Sequence, residues 1–125
     1  GTVEFKGFMS AGELVDFLNR SHILFNPSPK EGWGLTVVEA NACGVPVVAS
    51  DRPGLRDSVL DNETGFLVPY GDEEAFARKA VMLFRDGELW QRMSRTAIDR
   101  VAGLTWERCA REMEKLLEEI IPRKV

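Results

Sequence analysis

The segment VPVVA at residues 45–49 constrains the fold more than any other part of the sequence. Its apolar residues do not alternate with polar ones, and a continuous β-branched run is typical of a strand that is buried on both faces. Such strands occur in parallel sheets that carry helices on each side. Gly44, directly before the run, predicts the C-terminal end of a helix over residues 35–43. The segment therefore indicates an α/β fold.

Strand and helix patterns alternate through the rest of the chain. Ser10 followed by Glu13 is the pattern of a capping box, and it predicts a helix over residues 10–20. The predicted strands are residues 2–5, 22–25, 45–49 and 65–69. The predicted helices are residues 10–20, 35–43, 55–60, 73–86, 88–101 and 106–121. This order predicts βαβ units with right-handed crossovers, and hence a parallel sheet of about four strands with flanking helices.

Composition narrows the classes of function. The 125 residues fit one domain, and the net charge of −4 argues against nucleic acid as a partner. No apolar run reaches the length of a membrane-spanning helix. The two cysteines, Cys43 and Cys109, lie far apart in the sequence, which favours a reducing compartment over a disulfide framework or a zinc site. We therefore expect a cytoplasmic location, and leave open a position at the inner face of the membrane.

The last predicted helix, residues 106–121, has an apolar stripe along one side. Cys109, Met113, Leu116 and Ile120 recur at helical spacing, and charged residues occupy the other side. Such a stripe could serve contact with a membrane or with a partner protein. We expect it instead to pack against the core of this domain, with the charged side in water.

The loop after the second predicted strand has the features of an anion-binding site. Ligands of open α/β sheets bind beyond the carboxyl ends of the strands, which is where residues 26–34 lie. Gly32 and Gly34 allow backbone amides to approach an anion closely. The helix that begins near Leu35 directs its positive N-terminal end at the same place. A diphosphate group fits this arrangement.

Two carboxylates, Glu31 and Glu39, flank this glycine turn, and they need a target other than the phosphates. Carboxylates that faced a diphosphate would repel it. A carboxylate can, however, accept two hydrogen bonds from a vicinal diol. A ligand with a diphosphate between two sugars satisfies both requirements, so these residues predict a nucleotide-sugar as the ligand.

The stretch PSPKEGWGLTVVEANACGVPVVAS, residues 27–50, resembles the nucleotide-sugar-binding C-terminal half of the family 4 retaining glycosyltransferases of GT-B fold. Glu31, seven residues and then Glu39 match the hallmark of that family. The similarity continues through TGFLVPYGDEEAFARKA and TWERCAREMEKLL. The resemblance implies that residues 1–125 form a single partial, Rossmann-like donor-binding domain, with C-terminal helices from about residue 88. It also implies a missing partner, the N-terminal acceptor-binding domain.

The resemblance further implies roles for individual residues. Glu31 would be the catalytic residue that contacts the hydroxyls of the transferred sugar, and Glu39 would bind the ribose. The nucleobase would lie near residues 5–8, and neither a cofactor nor a metal is implied, in keeping with the lack of an Asp-x-Asp motif. For Trp33, packing within the loop is an equally good interpretation. The residues that would hold the diphosphate are Gly32, Trp33, Gly34, Leu35 and Thr36.

The chain departs from the family pattern after residue 50. Where the family has Gly-Gly-x-x-Glu, residues 53–57 read PGLRD, and we assign no site residue to this loop. The resulting hypothesis is the donor-binding part of a retaining glycosyltransferase that moves a sugar from a nucleoside diphosphate to an acceptor, and that is inactive alone. Two alternatives remain open: a non-catalytic nucleotide-binding or assembly module that keeps the motif, and a folding unit that binds nothing. We also expect the isolated chain to form a homodimer, because a truncated parallel sheet exposes an edge.

Overall fold

The computed structural model describes residues 3–121, and its helices and strands alternate as the sequence predicts. All six predicted helices are present, with ends that differ by a few residues from the predicted ones. In chain order, the elements are α1 (Ala11–Asn19), β1 (Leu24–Asn26), α2 (Leu35–Ala42), β2 (Val47–Ser50), α3 (Leu55–Ser58), β3 (Gly65–Val68), α4 (Glu73–Arg85), α5 (Gly87–Ala102) and α6 (Trp106–Ile120).

The three strands form one parallel sheet in the order β1-β2-β3. Val47 of β2 aligns with Leu24 on one side and with Gly65 on the other. Because the strands are parallel, their carboxyl ends lie at the same edge of the sheet, and the loops that follow β1 and β2 are neighbours. The predicted α/β fold with a parallel sheet and flanking helices is confirmed.

The predicted strand at residues 2–5 is wrong for the part of it that the structure describes. Residues 3–5 lie in no helix or strand, and the side chains of Val3 and Phe5 are 86% and 94% exposed; Thr2 lies outside the described residues. A short strand is stable only when it has a neighbour and a face to bury. The described sheet therefore has three strands rather than about four, and β1 is one of its edges.

Strand β2 is the centre of the fold, as the VPVVA segment predicts. Val47, Val48 and Ala49 are fully buried. Val47 and Ala49 belong to a core cluster with residues of α1, α2 and α3, whereas Val48 belongs to a second cluster with residues of α4 and α5. Helices thus cover both faces of β2, which is why this strand carries no polar residue before Ser50.

The predicted helix ends are confirmed by their hydrogen bonds. The Ser10 hydroxyl accepts a bond from the Glu13 amide, and the Glu13 carboxylate accepts one of 2.8 Å from the Ser10 amide, which completes the capping box. The Ser10 hydroxyl also donates to that carboxylate, and together these bonds lower the pKa of Glu13. Gly44 follows Cys43, the C-cap residue of α2, with a φ of +71°, and its amide donates to the Asn41 carbonyl.

Helix α6 does not pack against the core, so the expectation for residues 106–121 is wrong. None of its residues is buried, and Met113, Leu116 and Ile120 are 54%, 52% and 73% exposed. Cys109, expected on a buried stripe, is also exposed. The physical reason is that helices α1–α5 already cover both faces of the sheet, which leaves α6 no core surface to bury. Within residues 3–121, no helix has both the length and the apolar character needed to cross a membrane.

Candidate functional site

Asn26, the last residue of β1, organises the loop that the sequence indicates as an anion site. Its side chain is buried, and its Nδ2 donates to the Thr36 hydroxyl at 3.4 Å. Its Oδ1 accepts a hydrogen bond of 3.2 Å from the Ser28 amide, a local side-chain-to-backbone bond that initiates a turn. Asn26 therefore ties the start of the loop to the first turn of α2.

Gly34 makes the sharp turn into α2. It is the N-cap residue, is buried, and has a φ of +79°, a conformation that favours glycine. A Cβ atom at this position would lie 2.9 Å from Ser58 Oγ and 3.1 Å from Leu55 Cδ2. Space and backbone conformation both require glycine here; the crowding comes from α3, and the close approach of an anion stays a prediction.

The N-terminus of α2 presents backbone donors. No side chain caps the helix, and among residues 3–121 no hydrogen bond takes the amide of Leu35 or of Thr36. The first hydrogen bonds of the helix are donated by the Val37 and Val38 amides to the Gly34 carbonyl. Two amides at the positive end of a helix thus remain available to an anion.

The predicted site residues lie on one loop and one helix face. Leu35 is 65% exposed, Glu39 is exposed one turn further along the helix, and the opposite face is buried through Val37 and Ala40. Glu31 is half-buried in the preceding loop. Along the chain, Glu31 thus lies before the glycine turn, and Glu39 lies after it on the exposed face of α2. Their contacts with a ligand stay predictions.

Gly54, to which the sequence analysis gives no role, supports this loop directly. It lies in the loop after β2, has a φ of +85°, and a Cβ atom there would lie 2.2 Å from the carbonyl oxygen of Glu31 and 3.0 Å from that of Gly32. The two loops meet because β1 and β2 are neighbours. The sequence signal for this role is the presence of a glycine in the loop after β2, the strand that neighbours β1.

Two cations that follow β2 in the chain, Arg52 and Arg56, already have partners. Arg56 pairs with Asp51 and lowers the pKa of that carboxyl group, while Asp51 raises the pKa of Arg56. The guanidinium of Arg52 lies 4.8 Å from the centre of the Tyr70 ring, at the distance of a cation–π contact. The Arg52–Tyr70 contact therefore links the loops after β2 and β3, whereas the Arg56–Asp51 pair lies within the segment that follows β2.

A cleft of about 810 Å³ opens beside Trp33, between α2 and the junction of α5 with α6. Trp33 is 38% exposed and lines the cleft, and its role, as a ligand contact or as packing within the loop, stays a prediction. Other lining residues are Val38, Arg100, Leu104, Trp106 and Arg108. Residues 5–8, expected near a base, lie in no helix or strand, and the side chains of Phe5 and Phe8 are exposed; their role stays a prediction.

Comparison with known proteins gives a consistent result. The family model described as glycosyl transferases group 1 matches residues 1–100. A D-inositol 3-phosphate glycosyltransferase from Streptomyces bingchenggensis is 32% identical over 108 residues, which are 86% of this chain and 24% of the relative. The chain thus spans about a quarter of the length of this curated relative.

Two solved structures share the fold. Sucrose-phosphate synthase from Thermosynechococcus elongatus superimposes with a TM-score of 0.73 at 33% identity, covering 83% of this chain and 26% of the synthase. The C-terminal domain of a glycosyl transferase group 1 family protein from Francisella tularensis superimposes with a TM-score of 0.71 at 28% identity, covering 78% of this chain and 51% of that domain.

Proposed function

Because the chain belongs to the group 1 glycosyl transferases, we propose that it is the donor-binding part of a longer, retaining glycosyltransferase. The complete enzyme moves a sugar from a nucleoside diphosphate to an acceptor and keeps the anomeric configuration. The observation that carries the proposal is the glycine turn at Gly34, which opens α2 with the free amides of Leu35 and Thr36, in the segment between Glu31 and Glu39. This arrangement suits a diphosphate with a sugar on each side.

Each part of the site has one task in this reaction. The amides of Leu35 and Thr36 donate to the diphosphate, and they stabilise the negative charge that grows on it as the bond to the sugar breaks. Glu31 accepts hydrogen bonds from hydroxyls of the transferred sugar and fixes its orientation. Glu39 accepts the hydroxyls of the ribose. The dipole of α2 adds positive potential at the leaving group without a mobile ion.

We propose that the acceptor binds to a further domain of the complete enzyme, in line with the quarter of the curated relative's length that this chain spans. The exposed apolar stripe of α6 faces that domain. The chain alone is then a donor-binding unit without transferase activity. A cytoplasmic location, where nucleotide-sugars are available, is part of the same proposal.

The test is transfer by the complete enzyme, measured with a panel of nucleotide-sugars and acceptors. We expect a product with the anomeric configuration of the donor, identified by NMR. Glu31→Ala should lower kcat roughly a hundredfold or more, the size of effect seen when one preorganised polar contact to a reacting group is lost. Glu73→Ala, an exposed carboxylate in the first turn of α4, is the matched control and should leave kcat unchanged.

Three results would contradict the proposal. A product of inverted configuration would exclude a retaining reaction. Full activity of the Glu31→Ala variant would remove Glu31 from the reaction. Nucleotide binding without transfer to any acceptor would favour a non-catalytic module that keeps the motif.

A further inference from the structure

We propose that Arg100, on α5, is a positioning residue that holds the donor loop of residues 31–36 in its binding geometry through α3. Nothing in the motif of residues 27–50 points to this arginine, which lies 61 residues after Glu39 in the sequence. The inference rests on the proposed function, because it concerns how the same loop is held. Arg100 itself makes no contact with the ligand in this account.

The first step is the contact between Arg100 and α3. Its Nη2 donates to the carbonyl of Asp57 at 2.6 Å, and its Nη1 donates to the carbonyl of Ser58. Those carbonyls lie at the C-terminal end of α3, where the last carbonyl groups of a helix need donors and a cation is favoured. Burial lowers the pKa of Arg100, and the guanidinium stays a charged fork that fits two adjacent carbonyls.

The second step is that α3 cannot hold its place alone. It is a single turn of four residues, Leu55–Ser58, with no side-chain cap at its N-terminus, and so short a helix has little stability of its own. Leu55 and Ser58 are fully buried. Their burial and the bonds from Arg100 therefore tie α3 to the rest of the domain, whereas the Arg56–Asp51 pair links α3 only to the loop just before it.

The third step is the contact between α3 and the donor loop. Ser58 Oγ and Leu55 Cδ2 crowd the position of a Cβ on Gly34, at 2.9 Å and 3.1 Å, and Gly54 meets the backbone of Glu31 in the same way at 2.2 Å. Both ends of the loop thus rest on α3 and on the residue that precedes it. A shift of α3 moves the Leu35 and Thr36 amides and the Glu31 backbone together.

The experiment compares Arg100→Met and Arg100→Lys with Arg95→Met, an exposed arginine on the same helix, in the complete enzyme. Amide hydrogen exchange of peptides that cover residues 27–40 and 51–60 is measured without ligand, and melting is followed in parallel. We expect faster exchange in both segments for Arg100→Met, an intermediate effect for Arg100→Lys, and wild-type exchange for Arg95→Met. Arg100→Lys keeps one donor to the carbonyls, so it preserves a readout where the methionine variant fails to fold.

The second readout is the affinity for inorganic pyrophosphate, with kcat and KM for the sugar donor. Misplaced amides should weaken pyrophosphate binding roughly ten- to hundredfold in Arg100→Met. KM for the donor should rise more than kcat falls. Unchanged exchange in residues 31–36, or the same exchange change in Arg95→Met, would overturn the positioning role. If the wild type binds neither pyrophosphate nor nucleotide, but Arg100→Met still shows faster exchange, the positioning role is supported. The proposed function is then overturned instead.

Discussion

At the scale of single residues, the glycines of this chain differ in how strictly their positions require glycine. Gly34 turns the chain into α2 at a positive φ and touches α3, whereas Gly32 has open space around its Cβ position. Gly12 lies within α1 and also has open space around it. The same residue type is therefore essential at one position and replaceable at another.

Substitutions at Gly34 and Gly12 form a matched pair of variants. Gly34→Val should destabilise the fold by roughly 1–3 kcal/mol or more, because a branched side chain would be forced into a left-handed conformation and into contact with Ser58. Gly12→Ala should be neutral or stabilising by about 0.5–1 kcal/mol. Thermal melting and pyrophosphate titration of both variants measure the difference. If Gly34→Val kept both the melting temperature and the affinity, this turn would not be the phosphate loop.

The roles of some of these residues could be predicted from the sequence and those of others could not, for physical reasons. The glycine turn at Gly34 could be predicted because the motif that carries it is local, and the role of Glu39, which the same motif indicates, stays a prediction. Gly54 and Arg100 could not be assigned, because their contacts join loops and helices that are distant along the chain and that meet only once β1 and β2 pair. Asn26 carried a partial signal, since an asparagine at a strand end before a proline favours a turn.

At the scale of helices and strands, propensity and capping predicted where most elements begin and end, while packing decided which ones bury their apolar residues. The six helices follow from local signals such as the Ser10–Glu13 box. Residues 2–5 and α6 show the limit of such signals. An apolar alternation or stripe indicates a surface that packs against another one. The sequence does not say whether that other surface belongs to this domain.

The capping box of α1 predicts a dependence on pH. Hydrogen bonds from Ser10 lower the pKa of Glu13 below its ordinary value of 4.5 in the folded state. The stabilisation is therefore complete above that ordinary value, and it is lost as the pH falls through the lower folded-state value. Glu13→Gln should lower the melting temperature at about pH 7, and the difference from wild type should shrink as the pH falls through the lowered folded-state pKa of Glu13.

Asp16→Asn, a change at an exposed position on the same helix, controls for the loss of a charge. A Glu13→Gln effect that is as large in acid as at neutral pH would show that the carboxylate does not stabilise the cap.

At the scale of the whole molecule, residues 3–121 form a closed core and leave some apolar or open surfaces without a neighbour. The core is closed because β2 is buried on both faces, so Val45, Val47 and Val48 are protected from water. Two such surfaces are the edge of β1, where Phe25 is 46% exposed, and the apolar stripe of α6. In a complete enzyme both can be covered by the rest of the protein.

The isolated chain should therefore self-associate. An open strand edge and an exposed apolar stripe both favour contact with another chain, and a two-fold dimer is the simplest closed arrangement. Analytical ultracentrifugation from micromolar concentrations upward should show a concentration-dependent dimer, and Leu116→Glu on α6 should shift it toward monomer. A strictly monomeric chain with one cooperative melt would mean that three strands and their helices suffice, and that these surfaces need no partner.

The central claim is that the glycine turn and α2 bind the diphosphate and ribose of a nucleotide-sugar, and one calorimetric cycle tests it directly. Wild type and Glu39→Ala are each titrated with ribonucleoside diphosphates, their 2′-deoxy counterparts and inorganic pyrophosphate. We predict that wild type binds the ribonucleotide more tightly than its 2′-deoxy counterpart. We also predict that Glu39→Ala weakens binding of the ribonucleotide by about 1.5–3 kcal/mol and leaves the affinity for pyrophosphate unchanged. Equal losses for all three ligands, or no binding of any diphosphate to the wild type, would contradict the claim.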